Sequence, residues 1–302
     1  MKVIENYDVI IVGGSYAGLA AAMSLGRSLR KVLIIDSGKP CNRQTPHSHN
    51  FITQDGKTPS EISSIAKSQV LEYNTVHFIS GKAIFGIKNE DTFTIGTNTG
   101  AAYVAKKVVF ATGIKDIMPN VKGFQDCWGI SIVHCPYCHG YEIRNEKTGI
   151  MVNGERAYHL AQLVNNLTKE LSILSNGSAS FTPEQLMKLE ENTIDIVEKK
   201  VVEVEHENGY MNTIVFDDGS KEKFKALYAA LPFVQHSDIP EALGCNLTDD
   251  GLILVDPMCK TTVTGVFACG DNSIKMRSLA NAVASGTMVG AVINMELVKE
   301  NF

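Results

Sequence analysis

The run Asp8-Val9-Ile10-Ile11-Val12, followed by Gly13-Gly14-Ser15-Tyr16-Ala17-Gly18 and the apolar-periodic Leu19 to Leu29, constrains the fold most. A short unbroken apolar run bounded by glycines reads as a strand buried on both faces, which belongs to a parallel sheet covered by helices. Gly13 makes the tight turn, the helix N-terminus faces a pyrophosphate with its unpaired N–H groups, and Gly18 lets helix and strand pack closely. Ser15 stands where the fingerprint has its middle glycine. Lys31-Val32-Leu33-Ile34-Ile35-Asp36 supplies the next strand and ends in an acid suited to a ribose hydroxyl. The expected class is α/β, opening on a dinucleotide-binding unit.

At 302 residues the chain is long enough for about two domains. A formal charge of -5 with interspersed signs gives no basic stripe, so neither nucleic acid nor an anionic membrane surface is an expected partner. Met1 to Tyr7 lacks the shape of a signal peptide, and the apolar stretch Leu279 to Ile293 is too short and too polar to span a bilayer. Seven cysteines, an odd number, fit a reducing compartment, so a cytoplasmic location is expected.

Beyond Asp36, residues 37–50 are polar and without period, the mark of a ligand-binding or solvated loop, with Asn42, Arg43 and His49 as candidate contacts. Ile62 to Tyr73 reads as a helix, Phe78 to Gly100 as short antiparallel strands, and Val108 to Gly113 as a buried strand closed by Thr112-Gly113. Thr148 to Ala157 repeats the strand–turn–helix pattern, with Tyr158 to Leu167 as its helix and Leu171 to Leu174 as the next strand. In this copy Val152 replaces the first glycine, Ala157 the third, and no acid or arginine follows the second strand. A Rossmann-like fold is expected here, with NADPH binding and an empty fold both open. Thr182-Pro183 introduces a helix to Glu190, and Asp195 to Leu231 alternates like strands around the turn Asp217 to Ser220. Gly251 to Asp256 and Gly265 to Asp271 return to buried strand. At Gly270-Asp271 a backbone N–H and a carboxylate can meet a sugar alcohol or phosphate. A helix from Met276 carries Ala280, Ala284 and Gly286, small enough to approach a flat ligand.

The chemistry concentrates in His134-Cys135-Pro136-Tyr137-Cys138-His139-Gly140-Tyr141-Glu142. Two cysteines at this spacing can close a small disulfide ring, and a thiolate at a helix start has a lowered pKa that makes it both nucleophile and leaving group. His139 can move the proton that exchange must gain or lose. Half a zinc site and two unconnected buried thiols are the alternatives. Zinc needs two further ligands at matching spacing, and Cys41, Cys127, Cys245, Cys259 and Cys269 form no second pair, so no metal is expected.

These motifs, in this order, resemble the low-molecular-weight thioredoxin reductase family of FAD-dependent disulfide oxidoreductases. The resemblance implies two Rossmann-like domains: an FAD domain split into residues 1–116 and 241–302, and an NAD(P)H-binding-like domain, residues 117–240, carrying the redox disulfide. It implies a homodimer, a domain rotation, Cys138 against the flavin and Cys135 facing the substrate, a thioredoxin-like protein or a small dithiol. The implied cofactor contacts are Gly13, Gly14, Ser15, Tyr16, Ala17, Gly18, Asp36, Ser37, Asn42, Arg43, His49, Asn50, Ala83, Ala111, Thr112, Gly113, Gly270, Asp271, Arg277, Ser278 and Leu279. His139 stands where the family usually has an acid, and Cys-x-x-Cys-His-Gly-Tyr-Glu is similar to the gliotoxin-type dithiol oxidases, which pass electrons to oxygen. The eroded second fingerprint is similar to branches independent of pyridine nucleotide, some fed by ferredoxin. A non-catalytic flavin redox sensor is a further alternative.

Overall fold

The computed structural model describes residues 3–302; Met1 and Lys2, where the leader expectation and the first domain begin, lie outside the described residues. Along the chain come β1 (Val3–Val12), α1 (Tyr16–Arg27), β2 (Val32–Asp36), α2 (Pro59–Leu71), β3 (Val76–Ser80), β4 (Ala83–Lys88), β5 (Phe93–Thr97) and β6 (Ala102–Phe110). Next are β7 (Ile114–Asp116), α3 (Phe124–Cys127), β8 (Ile132–Val133), α4 (Pro136–His139), β9 (Thr148–Met151), α5 (Gly154–Val164), β10 (Leu171–Leu174) and α6 (Pro183–Glu191). Then follow β11 (Asp195–Val197), β12 (Val201–Glu207), β13 (Tyr210–Phe216), β14 (Lys221–Lys223), β15 (Ala226–Ala229), β16 (Phe233–Gln235), α7 (Ile239–Ala242), β17 (Val266–Ala268) and α8 (Leu279–Asn301).

The packing divides into two compact units. One comprises the chain up to Arg43, Pro59–Lys115 and Phe233–Phe302; the other comprises Gln44–Thr58 and Asp116–Pro232. Residues 44–58, read from sequence with the first domain, go with the second unit because their contacts lie there: His49 Nε2 is 3.6 Å from a Glu142 carboxylate oxygen. Residues 233–240 go with the first, where Ile239 packs against Gly86.

In the first unit the sheet order is β3-β2-β1-β6-β5-β4, with β17 also paired to β6. β3, β2, β1, β6 and β17 are parallel, and β4 and β5 form an antiparallel extension. The sequence reading of Phe78 to Gly100 as antiparallel is therefore corrected at β3, which follows a helix and joins β2 in parallel. One edge of β6 is shared: Ala102–Ala105 pair with β5 and Val108–Phe110 with β17. Val9 and Ile11 face a core built with α1 and α8, while Ile10 and Val12 face the opposite core. Each such side chain contributes about 1.5–3 kcal/mol by leaving water, which explains why β1 carries no polar alternation. Gly251 to Asp256 does not form a strand. It is held by the isolated bridges Leu247–Ile253 and Val255–Thr261, so its apolar character reflects burial rather than a ladder. The last helix begins at Leu279 rather than Met276, because the Ser278 side chain accepts the Asn281 N–H as its cap.

The second unit holds an all-parallel sheet, β11-β10-β9-β15-β8, and a three-stranded antiparallel sheet, β12-β13-β14. α6 opens with a full capping box between Thr182 and Gln185. α5 begins at Gly154, ahead of the Tyr158 start expected from periodicity.

Candidate active site

In the first unit the C-terminal ends of β1, β2, β6 and β17 deliver their turns to one edge of a parallel sheet, where open α/β sheets bind ligands. The Gly13 N–H donates to the Ile35 carbonyl at 2.9 Å, and the Gly14 N–H donates to Asp36 Oδ1 at 2.9 Å. The Gly38 N–H donates to the other Asp36 oxygen at 3.1 Å, which fixes the carboxylate beside the glycine turn. A Cβ on Gly13, whose φ is +108°, would stand 2.2 Å from the Ala111 carbonyl oxygen, and one on Gly18 only 1.9 Å from that of Gly13. These positions admit only glycine. Ser15 has φ -91°, an extended value open to any residue, and its hydroxyl makes no capping bond, which accounts for serine in place of the middle glycine. Tyr16 is buried, donates to the Pro59 carbonyl at 3.1 Å and also bonds Asn42.

Ala111 is buried, Gly113 takes φ +63°, and the Thr112 hydroxyl accepts a bond from Asn272 Nδ2 at 3.2 Å. Asn272, which sequence reasoning missed, also donates to the Phe110 carbonyl at 2.9 Å and ties the end of β6 to the turn after β17. It is fully buried, and its Oδ1 has no hydrogen-bond partner. Asp271 Oδ2 lies 3.7 Å from Arg277 Nε and 4.0 Å from the Cys41 thiol. The Gly270 N–H donates to Ser285 Oγ at 3.1 Å. Gly286 serves helix packing: a Cβ there would meet the Ala17 carbonyl of α1 at 2.1 Å. Ala280 and Ala284 are exposed.

Ala83 is buried in the core beside Phe93 and Ile95. Ser37 and Arg43 are exposed, and Arg43 bonds the Pro40 carbonyl. His49 and Asn50 belong to the second unit, where the Asn50 N–H donates to Asp55 at 2.7 Å. The glycine cradle, the fixed Asp36 and the unsatisfied Asn272 oxygen fit the phosphates and ribose of an adenine dinucleotide such as FAD.

The second unit positions the cysteine pair. Cys135 is the N-cap of α4 with Pro136 behind it, and the Cys138 N–H donates to the Cys135 carbonyl at 3.3 Å. Both thiols are half-buried. Gly140 is required sterically, since a Cβ there would lie 2.4 Å from both the Leu167 side chain and the Pro136 carbonyl. Burial holds the His139 imidazole below its ordinary pKa, Glu142 acts in the opposite sense, and His49 adds to the lowering. His49 itself spans Glu142 and Asp55, at 3.6 and 3.4 Å. Glu142 thus joins the site through a residue far away in sequence. Burial raises the Cys127, Cys245, Cys259 and Cys269 thiols, which keeps them protonated and unreactive.

The turn of the second fingerprint is held by Asn153. Asn153 Oδ1 accepts the N–H groups of Gly154 at 2.8 Å and Ser180 at 2.9 Å, and its Nδ2 donates to the Ser178 carbonyl at 2.8 Å. The Ala179 N–H donates to Glu198 at 2.6 Å, and Glu155 in the first turn of α5 accepts from Gln185 at 2.6 Å.

Residues 7–286 match the pyridine nucleotide-disulphide oxidoreductase family. The chain is 30% identical to thioredoxin reductase tcpT of Claviceps purpurea, over 99% of this chain and 97% of that protein. It is 30% identical to thioredoxin reductase sirT of Leptosphaeria maculans, over 96% of this chain and 94% of that one. The crystal structure of an oxidoreductase from Agrobacterium tumefaciens superposes with a TM-score of 0.91 at 33% identity, covering 97% of this chain and 99% of the other. Its two Rossmann-like sheets, its glycine cradle and these likenesses together make the chain a member of the pyridine nucleotide-disulphide oxidoreductase family, an FAD-dependent thiol–disulfide oxidoreductase of the thioredoxin reductase kind.

Proposed function

We propose that this enzyme oxidises dithiols, with electrons leaving the Cys135–Cys138 pair through FAD to dioxygen rather than arriving from NADPH. The observation that carries this reading is the capping of the α5 N-terminus by Asn153, whose amide is also tied to Ser178 and Ser180. A pyrophosphate would compete with Asn153 for the Gly154 N–H, and Glu155 in the first turn of α5 sets a negative charge against it. In the exchange, a substrate thiol gives its proton to neutral His139 and attacks Cys135. The Cys135–Cys138 bond breaks and Cys138 leaves as a thiolate; the second substrate thiol then resolves the mixed disulfide, giving substrate disulfide and a reduced pair. A flavin held at the Gly13–Gly18 turn and Asp36 supplies the two-electron acceptor that restores the disulfide. The substrate is a small dithiol or a thioredoxin-like protein, and the enzyme acts as a homodimer in the reducing cytoplasm.

The second reading, favoured by the names of the relatives, is a reductase fed by NADPH or, with α5 capped, by ferredoxin. Anaerobic titration of the flavoprotein separates them. Bleaching by dithiol but not NADPH, with colour restored by air, is the expected result; rapid bleaching by NADPH would overturn the oxidase reading. Slow recovery in air would also overturn it and point to a protein partner such as ferredoxin.

His139 sets the pH dependence. Its pKa lies below the ordinary value, so the imidazole is neutral and able to accept a proton at neutral pH, and turnover falls as pH drops through that lowered pKa. His139→Ala is expected to keep bound FAD and slow dithiol turnover by about 10²- to 10³-fold. In Glu142→Gln, loss of the carboxylate that raises the His139 pKa moves the acidic limb of the rate profile to lower pH. An unmoved limb would assign it to another group.

A further inference from the structure

Tyr228 lies in β15 with 0% of its surface exposed, and its hydroxyl has no hydrogen-bond partner. Buried hydroxyls are nearly always paired, so an orphan beside a reactive motif asks for a partner that is present only at some stage of the reaction. The register fixes where this one points. Tyr228 is opposite Val133 on β8 and Ile150 on β9, and β8 ends one residue before His134-Cys135. A Cβ built on Gly140 would stand 3.0 Å from the Tyr228 oxygen, so the phenol sits under the turn that closes the cysteine motif. The titratable groups that face it are Cys135, Glu142 and Cys138, all acids. Burial first, then these neighbours, raise the phenol above its ordinary pKa, so it remains a donor across the working pH range.

We propose that Tyr228 is the hydrogen-bond donor for the thiolate released when the Cys135–Cys138 disulfide opens. The assignment rests on the dithiol chemistry proposed above. When a substrate sulfur attacks Cys135, the S–S electron pair leaves on Cys138. The charge then develops near Glu142, which disfavours it, and beside His139, which is neutral at neutral pH. The phenolic O–H accommodates that charge by donating a hydrogen bond without giving up its proton. The hydroxyl has no partner beside the two free thiols of this structure and gains one when a thiol ionises.

Tyr228→Phe removes the oxygen alone and leaves the ring that packs among Val133, Ile150, Ala157 and Leu171. The test is the pH dependence of iodoacetamide alkylation of the reduced, full-length flavoprotein, read at Cys135 and Cys138 by mass spectrometry. The variant is expected to raise the apparent pKa of the more reactive thiol by about one unit, a roughly tenfold slower alkylation below that pKa, with flavin absorbance and melting temperature not reduced. Incorporating 3-fluorotyrosine at the same position, a stronger donor, is expected to move the thiol pKa the opposite way. Profiles superimposable on the wild type in both variants would overturn the assignment while leaving the oxidase reading intact. Shifted profiles in a protein whose flavin air does not reoxidise would uphold Tyr228 and discard only the oxidase direction.

Discussion

Replacing Cys135 with serine is expected to abolish dithiol turnover, by on the order of 10⁴-fold or more, while the protein stays yellow. Serine is nearly isosteric and Cys135 is only half-buried at the start of a short turn, so packing is little disturbed. What is lost is the chemistry: a hydroxyl is not ionised at neutral pH and cannot form the disulfide that the exchange requires. The residues proposed to hold the flavin, Gly13 to Gly18 and Asp36, belong to the other unit, and flavin binding is expected to be unaffected. The check is anaerobic addition of dithiol, followed through the oxidised flavin band. Bleaching at the wild-type rate would transfer the substrate-facing role from Cys135 to Cys138.

Gly18→Ala is expected to remove the flavin itself. The added Cβ would meet the Gly13 carbonyl oxygen at 1.9 Å and its carbon at 3.0 Å, and both are backbone atoms of the turn between β1 and α1. No side chain can swing aside, so either α1 lifts from β1 or the turn opens. Overpacking of this kind costs about 3 kcal/mol, which for a chain of this size lowers the melting temperature by about 6–12 °C. The variant should purify colourless, with the cysteine pair still alkylated at near wild-type rates. A yellow protein of unchanged melting temperature would show that the turn yields more easily than its hydrogen bonds suggest.

The sequence made legible what is local. β1, β2 and β17 declare themselves as apolar runs because parallel strands are buried on both faces, and the glycines of the first turn declare themselves because nothing else fits there. Gly251 to Asp256 carries the same apolar signature without a ladder, since Ile253 is buried by packing and not by strand pairing. What remained hidden depends on register and on distant segments. His49 reads as part of a cofactor loop until its contact with Glu142 places it beside the cysteine motif. Tyr228 reads as one more apolar strand residue until its alignment with Val133 brings the hydroxyl under Gly140. Asn272 hides behind Asp271, which looks like the functional residue of the pair, although Asn272 is the one that joins β6 to the turn after β17.

The packing of α8 on α1, through Gly286 and Gly290, has a bearing on how the protein is made. During synthesis α1 emerges early, but the helix that covers it and the strand that completes the edge of β6 are encoded far downstream. The glycine turn is therefore translated long before the surface that supports it exists. Most of the second unit is contiguous and can close while the ribosome is still working, whereas the first must wait with an apolar helix face uncovered. The nascent chain, more than the finished fold, is therefore where aggregation is expected to compete with folding.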